Sequence, residues 1–193
     1  SSFLHQSIND KLRICSSVDM EELWRFFFES GFIYPSKYLS IHSRKEEFKR
    51  TYDRLYLKSP SIARHFIFQD KGVIFGHMSM IRFYPDSWII HHHAASRSSY
   101  GAAGVEVLDQ VGRYANEFYR YPSAHIDYLI CYYREENRFP ARIFGGVARD
   151  IADPKGSSVD VLSYLHLPDE LPSEDGFQLF PARREDLEEA RRF

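Results

Sequence analysis

Three runs of strand-forming residues, separated by turn formers, occupy the middle of the chain, the first of them alternating. Ala63 to Gln69 is the first run, Asp70-Lys71-Gly72 a hairpin turn, and Val73 to Tyr84 the second run. Pro85-Asp86-Ser87 is a second turn and Trp88 to Ala95 a third run, so the pattern predicts an antiparallel meander. Upstream, Lys11 to Cys15 reads as a short first strand. Ser17 or Asp19 can cap a helix with Glu21 and Glu22 in its first turn and Leu23, Phe26 and Phe27 on one face, running to Gly31. A second helix is predicted over Ser43–Leu57, with Phe48, Tyr52 and Leu55 or Tyr56 on one face and Pro60 after its end. Downstream, the small-residue loop Ser96 to Gly104 leads into a helix from Val105 to about Tyr119. Ile126 to Tyr133 reads as an apolar strand, Asn137 to Ala148 as a helix with Pro140 in its first turn, and Ser158 to Leu167 as a last strand. A strand meander with helices on both sides predicts a mixed, largely antiparallel α/β sheet flanked by helices.

Composition narrows the classes. Hydrophobic residues are 44% and charged residues 27% of the 193, enough apolar content for a packed core. The formal charge is −2, with 25 basic against 27 acidic side chains, which argues against a nucleic-acid partner unless a local patch exists. Two cysteines, Cys15 and Cys131, cannot build a disulfide framework or a four-thiolate zinc site. No stretch approaches the ~20 apolar residues of a membrane span and no signal-peptide pattern opens the chain, so a cytoplasmic setting is expected.

The tail repeats an earlier segment. Asp19-Met20-Glu21-Glu22-Leu23-Trp24-Arg25-Phe26 aligns without gaps to Asp186-Leu187-Glu188-Glu189-Ala190-Arg191-Arg192-Phe193, with Asp, both Glu, Arg and Phe identical. The two copies are either the openings of tandem domains or two generic acidic-start helices. Leu167 to Gly176 carries the Pro, Gly and acidic residues of a linker. The chain opens on Ser and ends inside a helical pattern, so an excised piece of a longer protein is expected. The domain reading is an extension over 1–10, a domain over 11–167, a linker over 168–176 and a truncated second unit over 177–193.

Candidate chemistry centres on His91-His92-His93. On a regular strand only His91 and His93 share a face, which makes a metal site poor and a general base or packed cleft the competing readings. The following loop, Arg97-Ser98-Ser99-Tyr100-Gly101-Ala102-Ala103-Gly104, supplies small residues at a helix N-terminus, where successive backbone N–H groups can hold an anion. Glu135 and Glu136 can bind an amine, act as base or simply form a solvated turn, and Arg97, Arg113, Arg134, Arg138 and Arg142 are either phosphate contacts near a cleft mouth or scattered surface residues.

This element order, with the Gly/Ala loop between the fourth strand and the next helix, resembles the GNAT superfamily of acyl-CoA N-acyltransferases over about residues 11–167. The resemblance implies that acyl-CoA, acetyl-CoA for example, is the co-substrate and that an amine or other small molecule is the acceptor. The tail then looks like the opening strand and helix of a second GNAT-like unit in the same chain, and no metal and no membrane partner are expected. The loop matches the family's Gln/Arg-x-x-Gly-x-Gly/Ala pattern except that Ser98 stands where Gln or Arg is expected. Cofactor contacts are accordingly expected at His92, Arg97, Ser98, Ser99, Tyr100, Gly101, Ala102, Ala103, Gly104 and Asn137. His91 and His93 are the expected catalytic groups, while family bases at earlier strand positions would fall near Asp86, Ser87 and Ile89. Phe144 falls where the family pattern places a proton-donating Tyr, and Phe cannot donate; Tyr133 is the residue expected to compensate. Two readings stay open: a catalytic acyltransferase, or a degenerate GNAT-like half that supports a partner or senses a ligand.

Overall fold

In the computed structural model, which describes residues 12–13, 18–96, 102–163, 183 and 186, the meander forms the middle of a five-stranded sheet. The strands are β1 (Leu12–Arg13), β2 (Ala63–Asp70), β3 (Val73–Tyr84), β4 (Ser87–Ala95) and β5 (Tyr128–Cys131), in spatial order β1-β2-β3-β4-β5. The first three pairings are antiparallel and β4–β5 is parallel, so the sheet is mixed and largely antiparallel, as the meander pattern predicted. At the β2–β3 turn Lys71 and Gly72 have φ of +49° and +81°. Two positive φ values give the hairpin a twist that matches its strands, and glycine accepts one of them at no steric cost.

Because side chains alternate along a strand, neighbouring residues of β2 enter separate cores. Ile67 and Ala63 meet α1 (Met20–Glu29) and α3 (Lys45–Tyr52) through Leu23, Phe26, Phe27 and Tyr52. Phe66 and Phe68, with Met78, Met80, Trp88 and Ile90, meet α4 (Ala103–Phe118) through Val107, Val111 and Tyr114. The α4 N-terminus lies hard against β3. A Cβ built on Gly76 would stand 2.7 Å from the Ala103 carbonyl oxygen, so only glycine fits there. Asp19 is the cap of α1, its Oδ1 accepting from the backbone N–H of Glu21 at 2.7 Å and Glu22 at 3.1 Å. The Lys45 ammonium reaches back to Glu21 at 2.7 Å and ties α3 to α1.

Four elements depart from expectation. The predicted helix over Ser43–Leu57 is a 3-10 turn at His42–Arg44, then α3, then a π turn at Asp53–Leu57. The wider turn keeps Tyr56 on the face of Tyr52, with ring centroids 4.4 Å apart. A short helix, α2 (Pro35–Ile41), was not foreseen; Pro35 sits at its first turn and no side chain caps it. β5 is shorter than Ile126–Tyr133, because pairing with β4 ends at Ile90–Cys131. Residues 158–163 carry no strand, and residues 164–167 of the expected last strand lie outside the described residues.

The chain divides into two compact units, residues 1–147 and 148–193, with α5 (Arg138–Ile151) crossing the division. In the second unit the end of α5 is followed by a turn in which Asp153 accepts the backbone N–H of Gly156 at 2.9 Å and Ser157 at 2.8 Å. The stretch that carries the linker and the opening of a second unit lies outside the described residues, apart from 183 and 186. Among the described residues no helix is long and apolar enough to cross a membrane.

Candidate functional site in the splay of two strands

The site begins with a mismatch between β3 and β4. Ser79 pairs with His91 and His77 with Ala94, so His92 and His93 together face the single residue Met78. This is a β-bulge, and His92 takes up the extra length at φ +52°. Side chains of β3 hold the two bulged carbonyls: His77 Nδ1–H donates to the His92 oxygen at 3.0 Å, and the Ser79 hydroxyl to the His91 oxygen at 3.2 Å. Just past Ile90–Cys131 the parallel pair β4–β5 ends and the two strands part. A cavity of about 470 Å³ opens there, floored by Met78 and Ile90. His91, His92 and His93 form one wall; Cys131, Tyr132, Tyr133 and Arg134 form the other; Asn137, Pro140 and Phe144 of the α5 region close the end.

The bulge overturns the strand geometry assumed for the triplet. His91 and His92, rather than His91 and His93, share a face, their ring centroids 4.0 Å apart. Both contact tyrosines of the α3 region: Tyr56 Oη lies 2.9 Å from His91 Nε2 and Tyr52 Oη 2.7 Å from His92 Nδ1. Phe32 packs edge-on to His92, and the Lys37 ammonium sits 3.8 Å above the Phe32 ring. His93 turns to the other face, its ring tilted against Phe139 at 4.5 Å and beside Gly104, whose added Cβ would come within 3.2 Å of His93 Nε2.

Burial keeps these imidazoles neutral. It pushes His91 down to about 4 and His92 to about 3, the latter helped by neighbouring His91 and Lys37. Burial also lowers His93, opposed by a backbone hydrogen bond at Gly104. His77, fully enclosed and next to His65, lies well below its ordinary value. On the opposite wall burial raises the Cys131 thiol to about 11, so it is a protonated thiol at neutral pH.

Of the expected cofactor contacts, His92 and Asn137 line the cavity, and Ala102, Ala103 and Gly104 lead into α4 beside it. Arg97, Ser98, Ser99, Tyr100 and Gly101 lie outside the described residues. Tyr133 lines the cavity and so does Phe144, with no hydroxyl to offer. Glu135 and Glu136 are exposed and are not among the residues that line it. Of the four described arginines expected at the mouth only Arg134 lines the cavity; Arg113 pairs with Asp109 at 2.6 Å on the outer face of α4. Asp86 is at the far end of β4, where its carboxylate meets His125 Nδ1 at 2.8 Å, while Ser87 and Ile89 pair with β5. Among the described residues no group of three or more His, Cys, Asp or Glu is arranged to hold a metal.

Several site residues escaped the sequence reading. In the sequence Tyr52 and Tyr56 show only as a helix face, and His77 and Ser79 only as strand positions. The available signal was chemical: His65, His77 and Ser79 are polar residues on strand faces that bury, which marks a network rather than a dry core.

No protein-family model and no curated protein matches the chain. Solved structures do. A possible acetyltransferase from Clostridium difficile 630 superposes with a TM-score of 0.51 at 9% identity, covering 79% of this chain and 93% of that one. The chain shares the fold of that possible acetyltransferase. Glucosamine-6-phosphate N-acetyltransferase from Arabidopsis thaliana gives a TM-score of 0.49 at 13% identity over 81% of this chain and 98% of that one. An acetyltransferase from Streptococcus agalactiae 2603 gives 0.49 at 11% identity over 83% and 94%. At such identities the likeness concerns architecture, and the chemistry of the site has to be argued from this chain's own residues.

Proposed function

We propose that the chain binds an acyl-coenzyme A thioester in the β4–β5 splay and transfers the acyl group to an amine. The observation that carries this reading is the bulge at His92, placed where the two strands part over the 470 Å³ cavity. A bulge leaves a residue outside the regular ladder, and a backbone N–H there can polarise a thioester carbonyl. The small residues Ala102, Ala103 and Gly104 at the start of α4 allow close approach of a pyrophosphate to backbone N–H groups. The likeness to the Clostridium difficile protein, described as a possible acetyltransferase, points the same way.

In this reaction the amine nitrogen forms a bond to the carbonyl carbon and the carbon–sulfur bond breaks. Sulfur leaves as a thiolate and takes a proton; the amine loses one to a base. Proximity supplies much of the rate, since the two reactants meet in one cavity. Of the two histidines expected to act as base, His93 takes that role, and Tyr133 is the proton donor that Phe144 cannot be. A second reading has one observation in its favour: Phe144 lines the cavity where a donor would serve catalysis, so the unit binds its ligand without turning it over. In either case the match between Asp19–Phe26 and Asp186–Phe193 supports a second GNAT-like unit in the same chain.

Thiol release from acetyl-CoA with a panel of amines tests the proposal. Turnover that falls about a hundredfold in His93→Ala, with folding intact, supports the catalytic reading. Saturable acetyl-CoA binding without thiol release supports the binding module, and neither binding nor release refutes both.

A further inference from the structure

The two imidazoles on the bulged face differ from His93 in one respect: each already has a ring nitrogen committed to a tyrosine. Tyr52 and Tyr56 are buried residues whose phenols burial raises, so both carry their protons at neutral pH. Between a phenol and a neutral imidazole the phenol O–H is the more acidic donor and the imidazole nitrogen the more basic acceptor, as ordinary values of about 10 and about 6.5 reflect. The stronger pairing is therefore O–H···N. That pairing has Tyr52 Oη donating across 2.7 Å to His92 Nδ1 and Tyr56 Oη across 2.9 Å to His91 Nε2. With those lone pairs occupied, the ring proton of His92 resides on Nε2 and that of His91 on Nδ1. Neither ring has a lone pair left to accept a proton from a substrate.

We propose that His91 and His92 are neutral N–H donors to an anionic oxygen of the acyl acceptor, with tautomers set by Tyr56 and Tyr52, and that neither is the base. The inference rests on the proposed acyl-transfer reading for the identity of the ligand. The surroundings fit an oxyanion such as a carboxylate. Lys37 from α2 lies over Phe32, which itself packs on His92, and Arg134 stands on the opposite wall. The other groups facing the pair are Tyr52 and Tyr56 from the α3 region and His77 and Ser79 from β3, none of them an acid. His65 stacks on Tyr56 from β2. The base role in the triplet then falls to His93, on the other face.

Imidazole nitrogen spectra of the ¹⁵N-labelled 193-residue chain, recorded from pH 8 to pH 5, read the tautomers directly. The expected result is a protonated Nε2 and bare Nδ1 for His92, the reverse for His91, and no titration of either across that range. In Tyr52→Phe the His92 signals alone should lose their fixed tautomer, and in Tyr56→Phe those of His91 alone. Should either variant fail to fold, the parent spectra still decide. Added succinate, as a carboxylate probe, should shift the two N–H resonances saturably. A bare Nε2 on His92, titration of either ring near its ordinary value in folded protein, or indifference to succinate overturns the proposal. In turnover assays His92→Gln, which keeps an amide N–H near the Nε2 position, should stay within about tenfold of the parent, whereas His92→Ala should lose about a hundredfold. If no amine is acylated, the acyl-transfer reading fails while the spectra still report whether the donors exist.

Discussion

The two faces of the sheet bury similar numbers of large side chains but differ in kind. On the α4 face Phe66, Met78, Met80, Trp88, Ile90, Val107 and Val111 form an almost purely apolar layer. On the α1–α3 face the apolar residues Leu23, Phe26, Phe27 and Ile67 share their core with Tyr52 and Tyr56, and His65, His77 and Ser79 are buried on the same strands. An apolar layer needs only shape and area to be stable. Buried hydroxyls and imidazoles need partners as well, and here Tyr52 and Tyr56 meet His92 and His91 while His77 Nδ1 and Ser79 hold the carbonyls of the bulge. The polar face thus holds the bulge in place, and the dry face holds the sheet together.

That division can be broken most severely on the dry side. Trp88 is 2% exposed and its indole N–H donates to the Ala124 carbonyl at 3.1 Å. Trp88→Ala should cost about 3–5 kcal/mol in urea unfolding while leaving the histidine tautomers unchanged. Equal disturbance of both faces would show that they do not act separately.

Acid should attack the other side. An imidazole whose folded-state value lies below its ordinary 6.5 is favoured as the neutral form in the fold, so below that pH the unfolded chain binds more protons. Stability is then full above about pH 6.5 and falls toward 4 for His91 and toward 3 for His92. Between pH 7.5 and pH 5 the unfolding free energy should drop by about 2–4 kcal/mol, with His91→Gln/His92→Gln flattening the slope. A flat profile in the parent would mean that these rings are hydrated and titrate as free histidines do.

A smaller change separates the hydroxyl from the ring. Tyr52→Phe keeps the stack on His92, whose centroid is 5.7 Å away, and removes only the hydrogen bond. The expected cost is about 1 kcal/mol by urea unfolding at pH 7.5. At the far end of β4 the contrast should vanish. Asp86 and His125 form a half-exposed pair, and Asp86→Asn should change stability by less than about 0.5 kcal/mol.

Much of the dry face could be read along the chain, and the reason is locality. Alternation in Ala63–Gln69, the strand-forming run Val73–Tyr84, and the turn residues Lys71-Gly72 specify strands and a hairpin within a few residues of each other. The bulge is not local. It arises from the pairing of His77 and Ser79 with Ala94 and His91, a register that no residue of β4 announces. For the same reason the triplet was assigned the wrong shared face, and β5 was drawn two residues too long at each end. Tyr52 and Tyr56 were legible as a face but not as partners, since a hydroxyl's acceptor lies on an element thirty-five or more residues away. α2 was missed because its start at Pro35 lacks a capping side chain.

The central claim is that the splay above the bulge receives an acyl-CoA. Calorimetric titration of the folded chain with acetyl-CoA tests it without needing to know the acceptor. The account predicts saturable binding in the micromolar range that is lost in Gly104→Asp, which sets a carboxylate beside His93 at the start of α4. No heat of binding to a chain shown to be folded would contradict it.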